Sequence, residues 1–175
     1  MGDVCVFAAC SVDGFMAGPD GELDWLEGRD GIEDTFTPFI ARVGAILMGR
    51  RTFDFVAGLG GAWPYGDIPL LVATSRGLTP PRPSVRAVHG DAGELIAKAQ
   101  AAAGDKDVYL DGGELVRAAL EAGLVDEITV SVVPIILGRG RPLFAGIKER
   151  CELELVESRP IGGGLVELRY RPATE

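Results

Sequence analysis

The segment VCVFAACS at residues 4–11 is apolar at nearly every position. A strand with one wet face alternates apolar and polar residues, so an unbroken run reads as a strand covered on both faces. Similar runs recur as AILM (45–48), IPLLVATS (68–75) and DVYLDGG (107–113), with a shorter strand in SVRAVHG (84–90). Helical spacing appears between them, near Ile32 to Arg42, in GRRTFDFV (49–56), in DAGELIAKAQAAAG (91–104) and in GELVRAALEAG (113–123), where Gly123 is placed to cap the end. The alternation predicts parallel βα units with helices on both sheet faces. A Gly/Pro/Asp loop is expected from Val12 to about Asp30.

The last fifty residues change character. DEITVSVVPIILG (126–138) alternates Ile128, Val130 and Val132 against Thr129 and Ser131, and CELELVESRPIGGGLVELRYRP (151–172) reads as two strands joined by a Gly-rich turn. These strands are expected to pair antiparallel at one edge. ILGRGRPLF (136–144) could be read as an anion loop through Arg139 and Arg141, but its place among these strands favours a hairpin or a dimer contact. The 175 residues, 47% hydrophobic, suit one domain spanning 1–175.

Charge and cysteine content remove several classes of function. A formal net charge of −9 argues against a nucleic-acid or anionic-membrane surface, both of which need a basic footprint. No stretch approaches the ~18 apolar residues of a membrane span, and MGDVCVF lacks the basic start of a secretory signal, so a cytoplasmic location is expected. Cys5, Cys10 and Cys151 are odd in number and lack metal-ligand spacing; they read as small core hydrophobes, and no metal site is expected.

Two places carry candidate chemistry. In MGRRT (48–52), Arg50 and Arg51 fall in the first turn of a helix, where a cation is disfavoured by ~0.3–1 kcal/mol. In YLDGGEL (109–115), Gly112 and Gly113 separate a strand from a helix, which suits either a tight turn or a backbone brought close to a phosphate. Neither segment is GxGxxG or a P-loop. Ligands in open α/β sheets bind beyond the carboxyl ends of the strands, so Arg50, Arg51, Thr52, Ser75, Arg76, Gly112 and Gly113 should gather on one edge, where a polyanion would pair with the arginines.

MGRRTF, VATSR, LDGGELVRAAL and GLVDEITVSVVPIILGRGRPLF, in this order, together with CSVDGFMAG (10–18) and GELDWL (21–26), resemble the dihydrofolate reductase superfamily. They are most similar to the branch containing the C-terminal reductase domain of bacterial riboflavin biosynthesis proteins and its stand-alone relatives. The resemblance implies an α/β, dihydrofolate reductase-like three-layer fold, with a mostly parallel central sheet and antiparallel C-terminal strands. It implies an NADPH-dependent reductase of a pyrimidine- or pteridine-like heterocycle, a homodimer formed through the C-terminal strands, and no nucleic-acid or membrane partner.

Carried over by position, Gly49, Arg50, Arg51 and Thr52 would hold the cofactor's phosphates and adenosine side, with Arg51 nearest the 2′-phosphate. Ser75 and Arg76 would complete that pocket, and Gly112, Gly113, Glu114 and Leu115 would line the pyrophosphate. Ala9, Met16 and Ala17 would meet the nicotinamide. For the proton, Asp24 is favoured over Asp13, Glu33, Asp34 and Asp111, although a loop acid such as Asp24 can simply be solvated. Trp25 could stack on a planar ring. Asp13 is placed near substrate, and Asp111 faces substrate or caps a helix. The region FTPFIARVG (36–44) has only Arg42 where riboflavin reductases carry a His/Arg stretch, and no HxE with PCxxC of a zinc deaminase occurs.

Overall fold

The computed structural model describes residues 1–173. An eight-stranded sheet organises the chain. In chain order the strands are β1 (Val4–Ser11), β3 (Val43–Gly49), β4 (Leu70–Ala73), β5 (Val85–Val88), β6 (Asp107–Asp111), β7 (Glu127–Val133), β9 (Leu153–Gly162) and β10 (Leu165–Pro172). Their spatial order is β5-β4-β3-β6-β1-β7-β10-β9. The first six run parallel, and the β9–β10 hairpin adds to β7 antiparallel. A separate two-stranded sheet pairs β2 (Phe15–Ala17) with β8 (Arg141–Pro142).

The all-apolar runs are buried on both faces, as their composition requires. Along β3, Ala45 and Leu47 join one core cluster and Ile46 and Met48 the other, and all four are inaccessible to solvent. Helix α3 (Ala92–Ala103) covers the first face with Leu95, Ile96 and Ala99, and α4 (Gly113–Glu121) with Leu115, Val116 and Ala119. Helices α1 (Phe36–Ala41) and α2 (Arg50–Gly58) cover the second face with Phe39 and Phe53. Trp63 sits edge-on against Phe53 and Tyr65 there, with the Arg82 guanidinium over its ring.

The helix ends follow local chemistry. Asp91 and Glu94 form a reciprocal capping box at the start of α3, so its first N–H groups are satisfied within the helix. At the end of α4, Gly123 takes φ +66°, and Gly123 N–H donates to Leu120 O while Leu124 N–H donates to Ala119 O. That 5→2 and 6→1 pair is a Schellman ending, which needs the left-handed conformation that glycine adopts freely.

Four expectations are corrected. β7 is an interior strand parallel to β1, and its Thr129 and Ser131 are buried because the hairpin extends the sheet beyond it. Helix α1 begins at Phe36 instead of Ile32, since the Asp34 carboxylate accepts from the Thr37 N–H and the Glu33 N–H donates to Ile161 O. The loop after β1 contains β2, and ILGRGRPLF makes no hairpin of its own; it supplies β8, the partner of β2. Gly140 permits that contact, because a Cβ there would overlap the Ala17 carbonyl oxygen. Lastly, Cys5 and Cys10 are buried but Cys151 is exposed. Burial pushes the Cys5 thiol up to about 12, with the Arg42 guanidinium opposing it.

Leu110 lies in the middle of β6 with no solvent exposure. Leu110→Ala should lower the unfolding free energy by ~2–5 kcal/mol, from lost transfer energy plus a cavity. Denaturant titration checks this; a loss below ~1 kcal/mol would mean that the site collapses around the smaller side chain.

Candidate active site

Strands β3 and β6 are neighbours, yet the chain leaves them for opposite faces: α2 follows β3 on one side and α4 follows β6 on the other. Such a divergence opens a crevice at the carboxyl ends of the strands. Here a cleft of about 1100 Å³ occupies that position. Both helices start on it with a glycine N-cap, Gly49 for α2 and Gly112 for α4, and neither has a side-chain cap. Their first-turn N–H groups are therefore free donors, unlike those of capped α3, and two positive helix ends face one space.

Gly112 and Gly113 make the approach possible. Gly112 has φ +103°, and a Cβ there would stand 2.8 Å from Thr52 Oγ1. A Cβ on Gly113 would come within 2.9 Å of both Pro142 O and Arg117 Nη1, and 3.2 Å from Met16 Sδ. Only hydrogen fits at either position, so the backbone itself forms the wall.

Many of the residues singled out in the sequence meet here. Ala17, Gly49, Arg50, Arg51, Thr52, Ser75, Arg76, Asp111, Gly112, Gly113, Glu114 and Leu115 all line the cleft. The two arginines of α2 have acidic partners. Arg50 Nε pairs with Asp54 at 2.8 Å and Nη1 donates to Gly77 O at 2.9 Å, which fastens α2 to the turn after β4. Arg51 Nη1 reaches Glu114 Oε1 at 3.1 Å across the mouth of the cleft, with both side chains about three-quarters exposed. Such an exposed pair contributes at most ~1 kcal/mol and yields readily to a stronger anion. Arg76 approaches Asp54 more loosely, at 3.9 Å.

Two further arginines line the cleft: Arg117, which did not stand out in the sequence, and Arg141 of ILGRGRPLF, which could be read as part of an anion loop. Arg117, one turn into α4, donates from Nη1 to Pro142 O at 3.0 Å and so holds β8 against the helix. Arg141 comes from β8 itself and approaches Gly21. Arg117 had only its helical spacing to mark it. Arg141 had its neighbours Gly140 and Pro142, whose pairing with the distant β2 no local pattern announced.

Four assignments are not brought to the cleft. Asp24 is exposed on a 3-10 turn (Asp24–Leu26) and is not among the lining residues. Trp25 is buried against Val133, Ile161 and Leu165, its Nε1 donating to Glu22 O, so its ring is core and has no free face for stacking. Asp13 accepts from Ser11 Oγ, Leu137 N and Gly138 N; the Ser11 hydroxyl, aided by those amides, holds it below the usual carboxylate range. It is an ionised clamp between two loops and has no proton to give. Ala9 packs beside the Trp25 cluster, on the α1 face of the sheet.

The remaining acids sort by environment. Glu33 is held by Arg159 through two contacts of 2.9 and 2.8 Å, and Asp34 is drawn down by its hydrogen bonds from Thr37. Asp111 differs. The α4 N-cap is Gly112, which leaves the Asp111 carboxyl beside the cleft with protein packed around it. Burial pushes it up to about 6, against the opposing pull of the Gly112 N–H and the Tyr109 hydroxyl. A carboxyl in that range is half protonated near pH ~6 and can both hold and release a proton there.

The profile of the RibD C-terminal domain family matches residues 3–167. The uncharacterized protein YyaP of Bacillus subtilis is 31% identical over 179 residues, covering 93% of this chain and 90% of its own. A crystal structure from Shewanella sp. PV-4, of a protein named for riboflavin biosynthesis, superposes with a TM-score of 0.88 at 30% identity over 98% of this chain and 99% of its own. Two structures at 15% identity share the fold. One is the deaminase/5-amino-6-(5-phosphoribosylamino)uracil reductase of Thermotoga maritima, with a TM-score of 0.69 over 98% of this chain and 57% of its own. The other is dihydrofolate reductase from Enterococcus faecalis in complex with NADP(H), with a TM-score of 0.70 over 98% and 97%. With the profile spanning nearly the whole chain and the sheet order and cleft in place, the protein belongs to the RibD C-terminal domain family and has the dihydrofolate reductase fold.

Proposed function

We propose that the chain is an NADPH-dependent reductase of a pyrimidine- or pteridine-like heterocycle, of the type exemplified by 5-amino-6-(5-phosphoribosylamino)uracil reductase. The observation that carries this reading is the convergence of two uncapped helix N-termini and five arginines, Arg50, Arg51, Arg76, Arg117 and Arg141, on one cleft of a chain with net charge −9.

The residues suit a phosphorylated dinucleotide. The amides of Gly113 and Glu114 and those at the start of α2 are donors for phosphate oxygens, and the glycines at 112 and 113 leave room for close backbone approach. Arg51 and Arg76 are the exposed cations available to a 2′-phosphate, while Arg50 is already fastened to Asp54 and Gly77. When bound, the cofactor supplies a hydride. The chain contributes orientation through Met16, Ala17 and the β2–β8 pair, and a proton through Asp111. Asp111 replaces Asp24 in this role, because it alone among the carboxyls considered borders the cleft and is shifted toward neutrality.

Arg51→Glu should weaken NADPH by about tenfold or more while leaving NADH nearly unchanged, since only the former carries the extra phosphate. Calorimetric titration of both nucleotides checks this, and equal weakening would contradict the role given to Arg51. For Asp111 the folded-state value lies above the ordinary one, so its protonated form is the one that folding favours. Stability should therefore fall as pH rises from about 4 to about 6, and Asp111→Asn should flatten that slope. Turnover with a responsive heterocycle should likewise decline above pH ~6 in the wild type, with that limb absent in the variant. A pH series of melts and initial rates reads both.

A homodimer through the C-terminal strands is supported by Leu153, Leu155, Val156 and Val166, all exposed on the β9–β10 hairpin. Light scattering should return about twice the 18.4 kDa chain mass, and Leu155→Asp should shift it toward one chain. A wild type of monomer mass would dismiss the dimer.

A further inference from the structure

The triplet Gly-Glu-Leu stands in the first turn of two helices that border the cleft, and its glutamate is used differently in each. In α3 the N-cap is Asp91, so Glu94 occupies the third helical position and its carboxylate accepts from the Asp91 N–H at 3.1 Å. In α4 the N-cap is Gly112, so Glu114 occupies the second position, one residue earlier. It caps nothing there. Its Oε1 meets Arg51 Nη1 at 3.1 Å instead, spanning the cleft from the first turn of α4 to the first turn of α2.

Among the described residues, Arg51 is the one cation within ion-pair distance of Glu114, and Glu114 the one acid within that distance of Arg51. Arg117, one turn further along α4, is turned to the Pro142 and Leu143 carbonyls. Arg76, the other exposed cation of the cleft, lies 3.9 Å from Asp54, whose carboxylate is already tied to Arg50 at 2.8 Å. The Glu114 carboxylate thus brings a negative charge to the place where two positive helix ends and Arg51 converge. Held by a single exposed pair, it can swing away without breaking any other ion pair.

We propose that Glu114 is an internal competitor for Arg51, and so sets how far the cleft prefers a dinucleotide bearing a 2′-phosphate over one without it. The inference rests on the reductase reading of the cleft. A 2′-phosphate reaches Arg51 only in chains whose Glu114 has let go, and the apparent affinity is lowered by that fraction. A dinucleotide lacking this phosphate leaves the pair intact and is not affected by it. An exposed pair of this kind is formed in about half to four-fifths of the chains, so removing it releases about a two- to fivefold gain in affinity. Glutamine has the length of glutamate, and Glu114→Gln therefore removes the charge while keeping the shape of the cleft mouth.

Calorimetric titration of the full chain with NADP+ and with NAD+ tests this, at low ionic strength where exposed charges are least screened. Glu114→Gln should bind NADP+ about two- to fivefold more tightly than the wild type and NAD+ with unchanged affinity. In an Arg51→Met background the same substitution should no longer tighten NADP+, a non-additivity that the double-mutant cycle reads directly. Thermal melts of the unliganded variants establish that each is folded. Unchanged NADP+ affinity in Glu114→Gln overturns the proposal, and so does weaker binding, which would make the carboxylate a direct contact of the nucleotide. Equal tightening of both nucleotides, or the same tightening without Arg51, also overturns it, since general repulsion of anions then accounts for the effect. A wild type that binds no NADP+ dismisses the reductase reading and this inference with it, a result distinct from all the others.

Discussion

Two helix ends of the same partial charge meet where Gly112 lies against Thr52, and the rest of the site is arranged around that contact. The meeting is imposed by topology: β3 and β6 are adjacent, while α2 and α4 turn to opposite faces of the sheet. Neither helix has a side-chain cap, although the chain builds a full capping box at α3, whose first turn also borders the cleft. Unsatisfied N–H donors on two approaching helix ends disfavour each other electrostatically, and they become favourable only toward an anion. The first turns of α2 and α4 thus present uncapped N–H donors to one space, an arrangement that suits an anion.

The acidic chain manages its few cations accordingly. Arg50 is spent on structure, joined to Asp54 and Gly77, whereas Arg51 rests on Glu114 across the cleft mouth in a pair too exposed to hold it firmly. Arg117 secures the β2–β8 flap through backbone carbonyls. At the opposite end of the sheet, Arg42 contacts Asp107, Glu127 and the Cys5 sulfur, a network that ties β1, β6 and β7 at their starts, far from the cleft. Arginine is therefore divided between side chains that staple elements together and exposed ones held only loosely at the cleft mouth.

Much of the scaffold could be read directly. Runs such as AILM in β3 have no polar position to turn outward, so burial on both faces was unavoidable, and Leu95, Ile96 and Ala99 announce one helix face. The glycine and arginine wall of the cleft was equally legible, because strand, glycine and helix start are contiguous in MGRRT and LDGGEL. The placement of the acids and of the indole was not. Asp24 and Trp25 are neighbours in a loop, and nothing local distinguishes an exposed acid from a reactive one or a core indole from a stacking one. Asp111 could be read as substrate-facing or as a cap, and only its surroundings raise its proton affinity. Thr129 and Ser131 alternate like the wet side of an edge strand, yet both are buried, with Arg169 and Glu167 of β10 paired beside them.

By itself, the sequence determined the sequence of buried strands and amphipathic helices, the glycine N-caps, and the local placement of Arg50 and Arg51, because each depends on the properties of a few consecutive residues. The tertiary structure alone decided that β2 meets β8, that Arg117 and Arg141 enter the cleft, and that Asp111 is the acid whose surroundings raise its proton affinity. Those facts depend on pairings between residues up to about a hundred or more positions apart, such as Phe15 with Pro142 and Phe7 with Thr129. Burial and electric field at a side chain are set by whatever the fold brings beside it, and no run of neighbouring residues encodes that.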